Sequence, residues 1–293
     1  MGYSARYHAA SLAAVFLALA VGILLGVGLG DNVVSGTEEN LRESLENDID
    51  DARADADELR GALAREQAFA ARAYPALVAD ALRGRRIGLF GFGALSSEIT
   101  GDVSDALDPT GGELAQVSVV QIPPDAGALA GAAGKPFARA AEDNTQLEEL
   151  ARRFGTQAVG GRGSMLDRTE GTVFSRSSGE GGRLDGVVLN RAAIGDFEPP
   201  AGGQTDAFIT GFVQGAISSG RPVVAVEGSA APQSAVSFFS QFELATVDDV
   251  DLTAGKVAMV FALLGAEGDF GIKDTADSLL PELLTPARPR KAG

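Results

Sequence analysis

The sequence predicts an α/β protein in three parts: a single N-terminal transmembrane helix, a helical coiled-coil stalk, and a Rossmann-like α/β domain with a mainly parallel sheet. Three observations predict it. The 22 residues from Ala9 to Gly30 carry no charge. A heptad of apolar and small residues, broken once by Glu66, follows between Leu45 and Ala73. From Arg83 onward, short apolar runs alternate with helical stretches.

The uncharged run comes first. About 20 apolar residues cross the ~30 Å hydrocarbon core as a helix, whereas a signal-peptide core is shorter, about 7–15 residues. Ser11 is its one clearly polar residue, and the Ala18-Leu19-Ala20 triplet lies inside the run rather than at its polar end. The expectation is an uncleaved signal-anchor over 9–30. Arg6 precedes it, and Asp31, Glu38 and Glu39 follow. The positive-inside bias then makes 1–8 a short cytoplasmic tail and puts the bulk of the chain outside the cell membrane. Gly22, Gly26 and Gly30 recur every four residues. Small residues on one face let two helices approach closely, so these glycines are candidates for anchor self-association. Their frequency in membrane helices generally is the plainer explanation.

Residues 31–37 contain Ser35 and Gly36 and read as a linker. Residues 38–74 read as the stalk, with Pro75 at its end. Leu45, Ile49, Ala52, Ala56, Leu59 and Leu63 keep alternating spacings of four and three, as a coiled coil requires. Alanine buries little area, so this seam needs the anchor's help to hold a homodimer. Charge is polarised along the segment. Residues 38–58 carry ten acids against Arg42 and Arg53, a net charge of −8. Residues 60–86 carry six arginines against Glu66 and Asp80, a net of +4. Anionic headgroups repel the acidic half, which favours a spacer standing off the bilayer. The aspartates between 48 and 57 do not make a calcium loop. Started at Asp55, such a loop needs Gly at its sixth position, where Arg60 stands.

The third part, 83–284, is the extracytoplasmic α/β domain. Strands are expected over 86–92, 114–122, 184–190, 222–227 and 244–247. Helices are expected over 96–107, 138–154, 205–219, 233–242 and 253–264. Such alternation implies a mainly parallel sheet covered by helices. Residues 155–183 hold eight glycines and read as a long loop with a short helix near Met165–Arg168. Residues 285–293 read as a disordered basic tail.

Composition narrows the chemistry. With 24 basic and 40 acidic residues the net charge is −16, which repels nucleic acid. There is no Cys, and the one His is His8. Thiolate chemistry, zinc ribbons and His-based acid–base catalysis are therefore excluded from the distal domain. Gly91-Phe92-Gly93 lacks the third glycine of a dinucleotide fingerprint, with Ser96 in its place. Gly228-Ser229 lacks the pattern of a nucleophile elbow. Asp248, Asp249 and Asp251 form a cluster of acids in the distal domain. They can bind a hard cation, act as acid and base with Lys256 or Lys273, or cap the helix that follows. Capping by Asp251 or Thr253 explains at least one of them without chemistry. The expectation is a protein that is not an enzyme, with no catalytic, cofactor-binding or metal residues.

Two stretches carry a family resemblance. The first is Arg6-Tyr7-His8 with the run from Ser11 to Gly22. The second is Thr246-Val247-Asp248-Asp249-Val250-Asp251, then Ala254-Gly255-Lys256-Val257-Ala258, then Gly271-Ile272-Lys273-Asp274 through Pro281. With the order of anchor, stalk and α/β domain, the chain resembles the bacterial copper transporter family of MctB type. The resemblance implies a membrane-anchored envelope protein tied to copper efflux or homeostasis. It also implies family-motif surface candidates: Asp248, Asp249, Asp251, Lys256, Lys273 and Asp274. SteB-like relatives imply an alternative, a regulator of cell envelope and division that works with a partner protein on a wall-remodelling enzyme. Copper(I) prefers Cys and Met and copper(II) favours imidazole, so a chain with three Met and one His suits an indirect role. One anchor per chain forms no channel by itself, and the pattern lacks the alternating ten-residue segments of an outer-membrane barrel.

Overall fold

The computed structural model describes residues 5–161, 163–192 and 201–282; the tail expected over 285–293 and half of the one expected over 1–8 lie outside them. The chain divides into two compact units, residues 1–66 and 67–293. Helix α1, Ala5–Val78, forms the described part of the first and opens the second.

In the first unit, Tyr7–Val27 is long and apolar enough to cross a membrane, and none of it is buried. Leu45, Ile49, Leu59 and Leu63 of the heptad are exposed. Arg53 pairs with Asp50 and Arg60 with Asp57, each three residues apart on the helix surface. The break expected over 31–37 does not occur, because α1 includes these residues. A glycine inside a helix costs only about 1 kcal/mol, too little to stop one with good helix formers beyond it. Nor does the helix stop at Pro75, which lies inside it. A proline forfeits one helical hydrogen bond. Here the following turn is held by packing, with Tyr74, Val78 and Leu82 all buried. The Tyr74 hydroxyl donates to the Ala106 carbonyl at 2.6 Å, and burial pushes its pKa up.

The second unit is a seven-stranded sheet between helices. Its elements are β1 Arg86–Phe92, α2 Ser97–Leu107, β2 Glu113–Val120, α3 Ala126–Ala133, α4 Asn144–Gly160, α5 Ser164–Val173 and β3 Phe174–Gly179. After them come β4 Gly186–Arg191, α6 Ala201–Ser218, β5 Val223–Val226, α7 Val236–Ser240, β6 Ala245–Val247, α8 Thr253–Leu263 and β7 Asp269–Phe270. The strand order is β3-β2-β1-β4-β5-β6-β7. Every pairing is parallel except that of β2 with β3.

Period-two alternation in β1 sets the layers. Ile87 and Leu89 point to one face and meet Val103 and Leu107 of α2 and Val257 and Met259 of α8. Phe90 and Phe92 point to the other and meet Phe154 of α4 and Phe208 and Phe212 of α6. Phe212 is the hub of this layer, with the rings of Phe90 and Phe92 each 5.6 Å away and Phe174 at 6.4 Å. Helices α4 and α6 approach backbone to backbone. A Cβ at Gly211 would strike the Glu148 carbonyl, and one at Gly215 the Arg152 carbonyl.

Within the long loop expected over 155–183, the short helix near Met165–Arg168 is present as the longer α5, but the flanks are the end of α4 and β3. Its glycines hid an edge strand. Only Phe174 of β3 is buried, so the strand shows no apolar alternation.

Candidate functional site

The carboxyl ends of β5 and β6 lie side by side. Each delivers acids as it leaves the sheet: Glu227 after β5, Asp248 and Asp249 after β6. The turn after β7 brings Lys273 to the same place.

Asp248 holds that turn. Its two carboxylate oxygens accept hydrogen bonds from the backbone N–H of Ile272 (2.8 Å) and of Lys273 (3.0 Å). The carboxylate fits because residue 271 is glycine, at φ 140°, and a Cβ there would overlap it. Lys273 Nζ then donates to Glu227 Oε1 at 2.6 Å and to the Gly228 carbonyl at 3.1 Å. Glu227 Oε2 accepts from Ala235 N–H at 2.6 Å. The Glu227 side chain is 5% exposed, so this is a nearly desolvated ion pair.

Asp251 takes both hydrogen bonds that Ser229 can give, from its N–H and from Oγ, each 2.6 Å long. Burial works against its ionisation, but these bonds outweigh it and hold Asp251 below the usual carboxylate range. Asp249 is different. It is fully buried, and among the described residues neither side-chain oxygen has a hydrogen-bond partner. Burial, reinforced by the charges of Asp248 and Asp251, raises its pKa from 3.8 to about 6, against a smaller pull from Lys273.

Two of the expected surface candidates are therefore interior. Asp248 and Asp249 have no solvent exposure, because the segment after β6 runs beneath the 271–273 turn and into α8. Asp251 does not cap α8. Leu252 occupies the cap position and no side chain caps that end, since Asp251 is turned toward Ser229. Lys256 belongs to a separate contact, 3.3 Å from Asp102 and 3.7 Å from Asp105 on α2. Asp274 is exposed. Of the anchor glycines, Gly22 and Gly26 have open space around them, and the surroundings of Gly30 lie outside the described residues. The structure adds Glu227, which sequence reasoning missed. Its one signal was position, directly after the apolar run of β5.

The arrangement is a clamp. Asp248, Lys273 and Glu227 spend their polar atoms on the chain itself, Asp251 joins them through Ser229, and together they tie three loops at one end of the sheet. Among the described residues, no group of three or more His, Cys or acidic side chains is placed to hold a metal ion. No curated protein matches the chain. The model of the family described as copper transport outer membrane protein, MctB, matches residues 3–281, nearly the whole chain. A copper-related envelope role follows from that description, and the apolar helix at the amino end suits it. Two of the three parts of the distal motif, the one ending at Asp251 and the one opening at Gly271, lie in loops that the clamp ties, and the match over 3–281 makes this chain a member of the MctB family.

Proposed function

We propose that the protein is a non-catalytic binding or scaffold component of copper efflux or homeostasis. It is anchored once in the cell membrane, with its amino end cytoplasmic and its α/β head extracytoplasmic, and is not an enzyme. The observation that carries this reading is the family match over 3–281. The clamp supports the non-catalytic part, because Asp248, Lys273 and Glu227 are engaged with the chain and not offered to a reacting group. Donor chemistry supports an indirect role with copper as cargo: without Cys, and with three Met and one His, the chain offers few soft ligands. We read the head as Rossmann-like, supported by the reversal of strand order between β1 and β4. A strain lacking the protein is expected to accumulate copper and to lose copper tolerance. Unchanged copper content together with disturbed cell shape would overturn this reading in favour of an envelope or division regulator that works through a wall-remodelling enzyme.

The stalk is read as a parallel homodimeric coiled coil, supported by the exposed apolar positions Leu45, Ile49, Leu59 and Leu63. Because the chain has no cysteine, an introduced one reports without background. Under oxidising conditions in membranes, Leu59→Cys is expected to form a covalent dimer. Ala54→Cys, on the opposite helix face, is expected to remain monomeric. Equal cross-linking of the two would rule out the seam.

A further inference from the structure

The strand order places a reversal between β1 and β4. From β1 the chain passes through α2 to β2 on one side; from β4 it passes through α6 to β5 on the other. Loops leaving neighbouring strands in opposite directions part at the carboxyl ends, and a crevice opens between them. Here the crevice measures ≈ 380 Å³, and its walls include Ser96, Glu98, Asn190, Arg191, Gly228 and Asp251. That size falls in the range of small-molecule sites.

Arg191, the last residue of β4, is the unexplained group in this wall. Its guanidinium lies 4.2 Å from the centroid of the Phe238 ring. Its Nε is buried with no hydrogen-bond partner among the described residues. No ion pair joins it to a described residue, although Asp206 acts on it at longer range. A partly desolvated cation with an orphaned donor is costly unless something accepts from it. With the Phe238 ring against it and Nε buried, the terminal nitrogens of the guanidinium are the part that a carboxylate can meet.

The acids of the wall are not equivalent. Asp102 is paired with Lys256 and Glu227 with Lys273. Asp251 accepts from the uncharged Ser229, with Lys273 acting on it at longer range, and Glu98 is exposed. A simple anion in the crevice would meet these two carboxylates, and a simple cation would leave Arg191 unanswered. A molecule carrying both charges answers each. Ala94, Ala230, Ala231 and Pro232 also line the space, and they fit short apolar side chains better than long ones.

We propose that this crevice binds a small zwitterion of amino-acid type, a free amino acid or dipeptide with small side chains. Its carboxylate sits on Arg191 and its ammonium group faces Glu98 and Asp251. The test is calorimetric titration of the full-length chain in detergent with alanine, alanyl-alanine, N-acetyl-alanyl-alanine and alanyl-alanine amide. Saturable binding of alanine or alanyl-alanine is expected in the micromolar to millimolar range, and the tighter of the two identifies the source. Each blocked peptide is expected to bind at least about tenfold more weakly, the loss typical of one charge-assisted contact. Arg191→Met is expected to abolish binding. Glu98→Gln, an exposed substitution that leaves the core untouched, is expected to weaken it about tenfold. The proposal is overturned if neither free compound binds below about 10 mM, if the blocked peptides bind as tightly, or if both variants keep wild-type affinity.

Discussion

Lys273→Met is expected to destabilise the folded protein by about 3–5 kcal/mol, the cost of removing one partner from a buried ion pair. The reason is the position of Glu227. Its side chain is 5% exposed and its Oε1 is answered by Lys273 Nζ at 2.6 Å. Methionine fills similar space and leaves that oxygen without its cation. A second loss follows, since Nζ also bonds the Gly228 carbonyl. Adding Glu227→Gln to the variant removes the stranded charge while keeping an acceptor for Ala235 N–H, and is expected to restore a large part of the stability. Thermal unfolding of the full-length chain in detergent measures both. A cost below about 1 kcal/mol, typical of solvent-exposed pairs, would show that the clamp contributes no more than a surface contact.

Asp249→Asn is expected to act in the opposite direction and stabilise the protein at neutral pH. The folded carboxyl titrates at about 6 against an ordinary value of 3.8. The folded state thus holds this proton more tightly than the unfolded chain does. Below 3.8 both states are protonated, and the aspartate carries no penalty. Between 3.8 and about 6 the unfolded chain has released this proton while the folded protein still holds it, so stability falls as pH rises, and above about 6 the full penalty applies. At about 1.4 kcal/mol per pKa unit, the full penalty is about 3 kcal/mol. Asparagine cannot ionise and keeps the shape. The gain is expected to be largest at pH 7 and to shrink toward zero by about pH 4, as the linkage requires. Melting curves across this range check it. A gain that does not change with pH would show that the buried carboxyl is not the cause.

Regular elements with an internal signal were legible in the sequence. Strand β1 was read with its observed bounds, because Ile87, Leu89, Phe90 and Phe92 are apolar on both faces, as a central parallel strand demands. Helix α8 was read to within one residue. What escaped were elements without a pattern of their own. Strand β3 has one neighbour and no core face beyond Phe174, and β7 is only two residues long. The site was half legible. The acids at 248, 249 and 251 and Lys273 stood out as a motif. Their partners did not, because Glu227 lies 46 residues from Lys273 and meets it only through the parallel order of the sheet. Burial of Asp248 and Asp249 was equally hidden, since acids before a helix normally face water.

The edges of the sheet have a consequence for solubility. One border is the serine-rich β3, with Arg176 at its middle, exposed along all but its first residue, and the other is a two-residue strand. Short or polar borders of this kind are poor templates for a neighbouring chain to extend by backbone pairing. Crowded copies of this head are thereby guarded against fibre growth, and a substitution such as Arg176→Val, which greases the open rim, would remove a gatekeeper without touching the interior.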